Sequence, residues 1–128
     1  MADAQPPVFE ALVPMLPVTD VVRTIEFYEQ LGFEVGSTHT PEGQTKPVWA
    51  WMHSGRAHVM INLAAQALSA THASASVWLY TKDVESAHEA LRSRGLDVGD
   101  IEYPFYNPGG EFHVHDPDGY AVFIARAE

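Results

Sequence analysis

Apolar residues recur along this chain at two alternating periods, and the change of period marks its elements. After Asp20, the residues Val21, Ile25, Tyr28 and Leu31 fall at helical spacing, and after Asp83 so do Val84, Ala87 and Leu91. Each aspartate stands where a side-chain oxygen accepts from the unpaired N–H groups of a first helical turn. Gly32 and Gly95 follow the two runs, at the point where a left-handed conformation costs glycine least. The spacing therefore predicts helices over 21–31 and 84–94, the second with a charged outer face of Glu85, Glu89 and Arg92. Short apolar strands are expected just after them, at 33–36 and 96–99, and just before them, at 12–18 and 76–81. Pro14 and Pro17 each remove a ladder donor from the first of these, which marks an edge strand or an arm. Two hairpins complete the pattern. Residues 48–52 and 58–63 flank Ser54-Gly55-Arg56, and residues 111–115 and 120–125 flank Asp116-Pro117-Asp118-Gly119. Loops are expected at 40–47 and 104–110, and an Ala- and Ser-rich stretch, 64–74, joins the halves.

The two sets of elements match residue by residue. Asp20-Val21 recurs 63 positions later as Asp83-Val84, Glu26 as Glu89, and Gly32 as Gly95. In the same register Phe33-Glu34-Val35-Gly36 becomes Leu96-Asp97-Val98-Gly99. One gap-free offset carrying this many matches points to duplication, with units at 8–68 and 74–126 inside a single domain, 1–128. Two tandem βαβββ units predict an α+β fold in which curved mixed sheets surround a shared cleft, with the helices outside. Such a cleft is a natural small-molecule site.

Composition narrows the partners. The 128 residues suffice for one ordinary domain, and 46% apolar content with three Trp, five Tyr and six Phe supports a packed core. Seven Lys and Arg face 17 Asp and Glu, a formal net charge of −10. A field of that sign repels phosphate backbones, so nucleic acid is not expected as a partner; it attracts a cationic small molecule, and it also serves plain solubility. The absence of cysteine removes disulfides, thiolate nucleophiles and thiolate metal ligands. Residues 1–7 do not have the form of a secretory signal, and no apolar run approaches the roughly 18 residues that cross a bilayer. A cytoplasmic protein without membrane contact is the expectation.

Val18-Thr19-Asp20-Val21 followed by Phe27-Tyr28-x-x-Leu31-Gly32-Phe33 resembles the opening of vicinal oxygen chelate proteins. Phe112-His113-Val114-His115-Asp116-Pro117-Asp118-Gly119-Tyr120 resembles their penultimate strand and DPDG turn. That superfamily includes glyoxalase I, extradiol dioxygenases, fosfomycin-resistance enzymes and bleomycin-resistance proteins, and the resemblance spans about residues 8 to 126. It implies four metal-ligand positions, occupied here by Val13, Asn62, Ser76 and Phe123. None is a usual ligand for a divalent metal in such folds, which argues against cofactors and metal chemistry. The resemblance is closest to the metal-free bleomycin-resistance branch, which binds a cationic antibiotic without transforming it. Val13-Pro14-Met15-Leu16 resembles that branch's first strand, exchanged between the subunits of a homodimer. Gly110-Glu111-Phe112 resembles its G-R-E-F, with Gly110 in place of the arginine.

Trp49 and Trp51 alternate on one strand and so share a face. A two-residue turn after Ser54 puts His58, Met60 and Asn62 on that face, lining the cleft; a three-residue loop reverses the register and makes the indoles core. Two indoles in a cleft stack on a planar or cationic ligand. His113 and His115 also share a face. The resemblance places His113 in the cleft, as a hydrogen-bonding anchor or a general base, while both histidines also suit a polar strand end. Tyr103, Phe105 and Tyr106 crowd one loop and either rim the site or cover a sheet end. His39, His53, His72 and His88 are expected on the surface. The expected ligand-binding residues are thus Trp49, Trp51, His58, Met60, Asn62, Tyr106, His113 and Phe123, with no metal ligand. The function expected first is a metal-independent protein that sequesters a cationic or aromatic antibiotic. The competing one is a lyase, isomerase or dioxygenase that uses His113 as base or a displaced metal held by His58, His113 and His115.

Overall fold

Both helices begin and end on the residues that their pattern implies. In the computed structural model, which describes residues 5–66 and 75–127, α1 runs Val21–Gln30 and α2 runs Val84–Ser93. Asp20 Oδ1 accepts from the Arg23 N–H at 3.2 Å and Asp83 Oδ1 from the Ser86 N–H at 2.9 Å. Gly32 (φ 102°) and Gly95 (φ 89°) stop the helices in the left-handed region, where any Cβ is strained. The joining stretch and His72 lie largely or wholly outside the described residues.

Seven strands make two sheets. The first joins β1 (Met15–Val18), β2 (Glu34–His39), β3 (Trp49–Ser54) and β4 (Ala57–Leu63) in the order β1-β4-β3-β2. The second joins β5 (Ser76–Thr81), β6 (Glu111–His115) and β7 (Ala121–Arg126) in the order β5-β7-β6. Each sheet is mixed, with its pre-helix strand running parallel to its last strand. The registers repeat: Met15 pairs with Met60 and Leu16 with Ile61, while Trp78 pairs with Phe123 and Leu79 with Ile124. All four residues of the first two pairs move by 63 to give the second two. The fold is the expected α+β arrangement of two mixed, unclosed sheets with two helices.

Two elements depart from expectation. β1 starts at Met15 rather than at residue 12, because Pro14 has no N–H to extend the ladder; only its carbonyl continues the pairing, accepting from the Met60 N–H at 2.9 Å, while Pro17 sits within the strand opposite Asn62. Residues 96–99 form no strand, so the second unit has three strands rather than four. Here the Val98 N–H turns back to the Leu96 carbonyl, and the Gly99 carbonyl accepts from His88 Nε2 at 2.9 Å. A backbone oxygen captured by a side chain is lost to the ladder. Contact with β6 shrinks to the Gly99 N–H on the His113 carbonyl and one isolated bridge, Glu102 with Glu111. His88 is therefore half-buried against the Phe112 ring, not a surface residue.

One face of each sheet is buried. Ala50, Met52, Val59 and Ile61 of the first and Phe112, Val114, Val122 and Ile124 of the second join Val21, Phe27, Tyr28, Val84 and Leu91 of the helices in the core. Each buried Val, Leu, Ile, Phe or Met among them contributes about 1.5–3 kcal/mol on leaving water. The halves are also tied by polar contacts: Tyr120 OH donates to the Pro17 carbonyl (2.9 Å), Thr19 Oγ1 to Asp118 (2.7 Å) and Arg94 to the Gln30 carbonyl (2.8 Å). The opposite faces of both sheets remain open, and the candidate site is built there.

Candidate functional site

Strand alternation sets which residues reach the open face of the first sheet. Ser54 pairs with Ala57 across Gly55 and Arg56, so the turn has two residues and the indole register is the cleft-type one. Trp49 lies opposite Asn62, Trp51 opposite Met60, and His53 opposite His58. Trp49, Trp51, His58, Met60 and Asn62 therefore share one open face, each half-buried or exposed, while Ala50, Met52, Val59 and Ile61 point into the core. The Trp51 indole N–H donates to His58 Nδ1 at 3.2 Å, which leaves the histidine proton on Nε2, and the rings lie 5.5 Å apart. His53 flanks the pair, 6.1 Å from His58. It belongs to this ring cluster and is half-buried rather than a free surface group.

The second sheet presents a row of rings on its open face. Trp78 on β5 stacks on Phe123 of β7, with centroids 4.2 Å apart and planes 5° from parallel. His113 of β6 continues the row, 5.2 Å from Phe123 and again 5.2 Å from His115. The Trp78 indole N–H donates to Ser76 Oγ at 3.2 Å. One register further along, Tyr80, Ala125 and Glu111 share the same face. Tyr106, from the loop before β6, reaches over that row and its hydroxyl donates to Glu111 Oε2 at 3.1 Å. Partial desolvation of that hydroxyl, then the hydrogen bond to Glu111 and the charges of Glu111 and Glu102, hold its proton above the usual phenol range. Tyr106, Trp78 and Tyr80 line a cavity of about 440 Å³ with Asn107, Arg126 and Ala127.

Expected residues thus fall into two groups. Trp49, Trp51, His58, Met60 and Asn62 are together on the first sheet, and His113, Phe123 and Tyr106 are on the second. Two cavities among the described residues do not join them: one is the Trp78–Tyr106 cavity, another of about 310 Å³ lies between the end of α1, α2 and β5, with Leu31, Leu91 and Arg94 among its walls. Within the described residues the shared cleft is two open sheet faces. Of the three histidines considered for a displaced metal, His58 lies on the first sheet and His113 and His115 on the second. Among the described residues no three His, Asp or Glu side chains converge. Tyr103 points instead toward Glu85 of α2, with its hydroxyl at 3.4 Å. Phe105 is nearly fully exposed.

Trp78 and Glu111 were missed. Trp78 alternates with Ser76 and Tyr80 on a recognisable strand, but its partner Phe123 is 45 positions away and the parallel pairing has no local signal.

Residues 11–124 match the family model of the Glyoxalase/Bleomycin resistance protein/Dioxygenase superfamily. The chain belongs to this superfamily. Solved structures of the superfamily's fold agree. A bleomycin-binding protein complexed with bleomycin aligns with a TM-score of 0.75 at 21% identity, covering 94% of this chain and 100% of that one. A bleomycin resistance determinant encoded on transposon Tn5 aligns at 0.76 and 21% identity, covering 94% and 99%. TnmS3, an antibiotic binding protein from Streptomyces sp. CB03234, aligns at 0.74 and 18%, covering 97% and 100%. At such identities the likeness is one of fold. No functionally curated protein matches the chain in sequence.

Metal-dependent members of the superfamily place donors at four positions, and the residues here do not fit a metal. Val13 and Phe123 have no donor atom, and Phe123 is stacked on Trp78. Ser76 Oγ is engaged by the same indole. The repeated register also revises the fourth position: Phe123 pairs with Trp78 as Met60 pairs with Met15, so Met60, not Asn62, is the first-sheet counterpart of Phe123. A thioether there is a weaker donor than the Asn62 amide oxygen for a hard divalent ion.

Proposed function

We propose that the protein is a metal-independent binder of a planar aromatic or cationic small molecule, of the kind bleomycin-binding proteins represent, and that it sequesters this ligand without transforming it. The observation that carries the reading is the Trp78–Phe123 stack. Two parallel rings stand on an open sheet face, one of them Phe123 at a position the resemblance implies for a metal ligand, with His113 beside them as a polar anchor. A flat ligand extends such a stack, and an aromatic pair contributes about 0.5–1.5 kcal/mol beyond the area it buries. The indole face of the first sheet supplies a second platform. An acidic chain favours a cation over an anion in both.

The ligand needs cover on its far side, and we assign that to a second copy of the chain, in keeping with two tandem units (8–68 and 74–126) that arose by duplication. Residues before β1 favour this assembly: Val8, Phe9 and Leu12 are nearly fully exposed apolar side chains on an arm that continues the edge strand. β1 itself pairs with β4 of its own chain, so the arm rather than the whole strand is the part to be exchanged. Metal analysis of purified protein together with titration by metal-free bleomycin and a panel of planar cations, followed by Trp emission, tests the function. Saturable quenching of metal-free protein is expected. Stoichiometric metal that must be present for binding refutes the reading.

A further inference from the structure

Among the side chains that the proposed site does not use, Glu111 is the one whose chemistry is unfinished. It is charged, lies on the open face of the second sheet in register with Ala125 and Tyr80, and is only 5% exposed. Its Oε2 accepts from the Tyr106 hydroxyl, while Oε1 is buried and has no hydrogen-bond partner among the described residues. A buried carboxylate oxygen without a donor costs free energy that native structures rarely leave unspent on function. The cover over it is slight. Tyr106 belongs to a loop, is itself mostly exposed, and forms one wall of the 440 Å³ cavity whose opposite walls are Trp78 and Tyr80. Glu111 does not line that cavity itself but meets it through the Tyr106 hydroxyl, and on the sheet the small Ala125 lies between Glu111 and Tyr80.

We propose that Glu111 is the charge anchor of a cation subsite gated by Tyr106, which takes the N–H-bearing cationic edge of a planar ring seated against Trp78. The proposal rests on the ligand-binding reading and adds to it a residue and a ligand chemistry. The cation displaces the Tyr106 hydroxyl from Oε2 and gives Oε1 the donor it lacks. A cationic N–H donor adds direct ion pairing with the carboxylate that the neutral phenol hydroxyl cannot supply. Glu102, across the isolated bridge from Glu111, adds negative potential at the same end. Arg126 stands at the cavity's other wall, with no ion pair among the described residues. Its charge disfavours a cation at that wall, so the positive edge of the ring is held on the Glu111 side.

The test compares 4-aminoquinoline, a planar cation with N–H donors at neutral pH, with 4-methylquinoline, a neutral ring of the same size, by quenching of Trp emission. Wild type is expected to bind the cation about tenfold more tightly, a difference of about 1.4 kcal/mol. Glu111→Gln should abolish this preference while the neutral probe binds as before. Tyr106→Phe removes the competing hydroxyl, keeps the carboxylate, and should raise the preference for the cation over the neutral probe severalfold. A folded Glu111→Gln protein that retains the tenfold preference overturns the anchor and leaves the ligand-binding reading intact. Should Glu111→Gln fail to fold, Tyr106→Phe decides, and an unchanged or smaller preference overturns the anchor. If neither probe quenches wild type, anchor and binding reading fall together.

Discussion

Replacing Phe123 by alanine should weaken the fold and the site by separable amounts. Phe123 is half-buried, between Trp78 at 4.2 Å and His113 at 5.2 Å, on a strand whose neighbours Val122 and Ile124 are in the core. A fully buried Phe→Ala change costs about 3–5 kcal/mol, and roughly half of that applies to a ring with one open side. Loss of the stack adds about 0.5–1.5 kcal/mol. The total, about 2–4 kcal/mol, lowers the urea midpoint by roughly 1–2 M for a chain of this size. The same substitution removes one of two parallel rings beneath the ligand, so affinity for a planar probe should fall about tenfold or more. Urea melts followed by circular dichroism measure the first effect, and Trp quenching in buffer measures the second. If the midpoint falls and the affinity does not, the stack is structural and the site lies elsewhere. If neither moves, the Trp78–Phe123 geometry is not that of the protein in solution.

Two further changes probe how the halves are held, and one probes assembly. Burial holds the Asp116 carboxyl above its usual range, although backbone N–H groups of Tyr120, Asp118 and Gly119 oppose the shift. A raised folded-state value means that protonation favours the fold; this group's contribution is full below its ordinary value near 3.8 and is lost as pH rises through the folded-state value. Asp116→Asn keeps an oxygen for the Asp118 and Tyr120 N–H groups, so its urea midpoint relative to wild type should improve as pH rises above the ordinary carboxyl value of 3.8; a constant difference would contradict this. Tyr120→Phe deletes the hydroxyl that donates to the Pro17 carbonyl between the units and should cost about 1 kcal/mol, seen as a lower midpoint at an unchanged slope. Removing residues 5–12 should convert a dimer to monomer by light scattering while leaving the circular dichroism spectrum in place; a dimer that survives the deletion argues against arm exchange.

Legibility followed the range of the interactions. Caps and stops act within a few residues, so Asp20, Gly32, Asp83 and Gly95 could be placed from the chain alone. The indole face was equally local, because a two-residue turn between Ser54 and Ala57 determines the register of β3 and β4. Long-range contacts decided the remainder. Residues 96–99 repeat the pattern of 33–36 yet make no strand, since His88 on α2 takes the Gly99 carbonyl. Trp78 became a site residue only through its parallel pairing with Phe123, and Glu111 only through the Tyr106 loop that folds over it. The fourth ligand position, by contrast, was legible: the 63-residue offset already carries Phe123 onto Met60 rather than Asn62, and the two parallel registers repeat it.

The central claim, that an aromatic face of the second sheet binds ligand without metal, meets its most direct test in the indole N–H resonances. The chain has three tryptophans, hence three such signals, at Trp49, Trp51 and Trp78. In metal-free ¹⁵N-labelled protein titrated with a planar cation, the account predicts a saturable shift of the Trp78 indole together with the Phe123 and Ala125 amides. Shifts that appear only after a divalent metal is added, or that are confined to Leu31, Leu91 and Arg94 around the cavity between the helices, would contradict it.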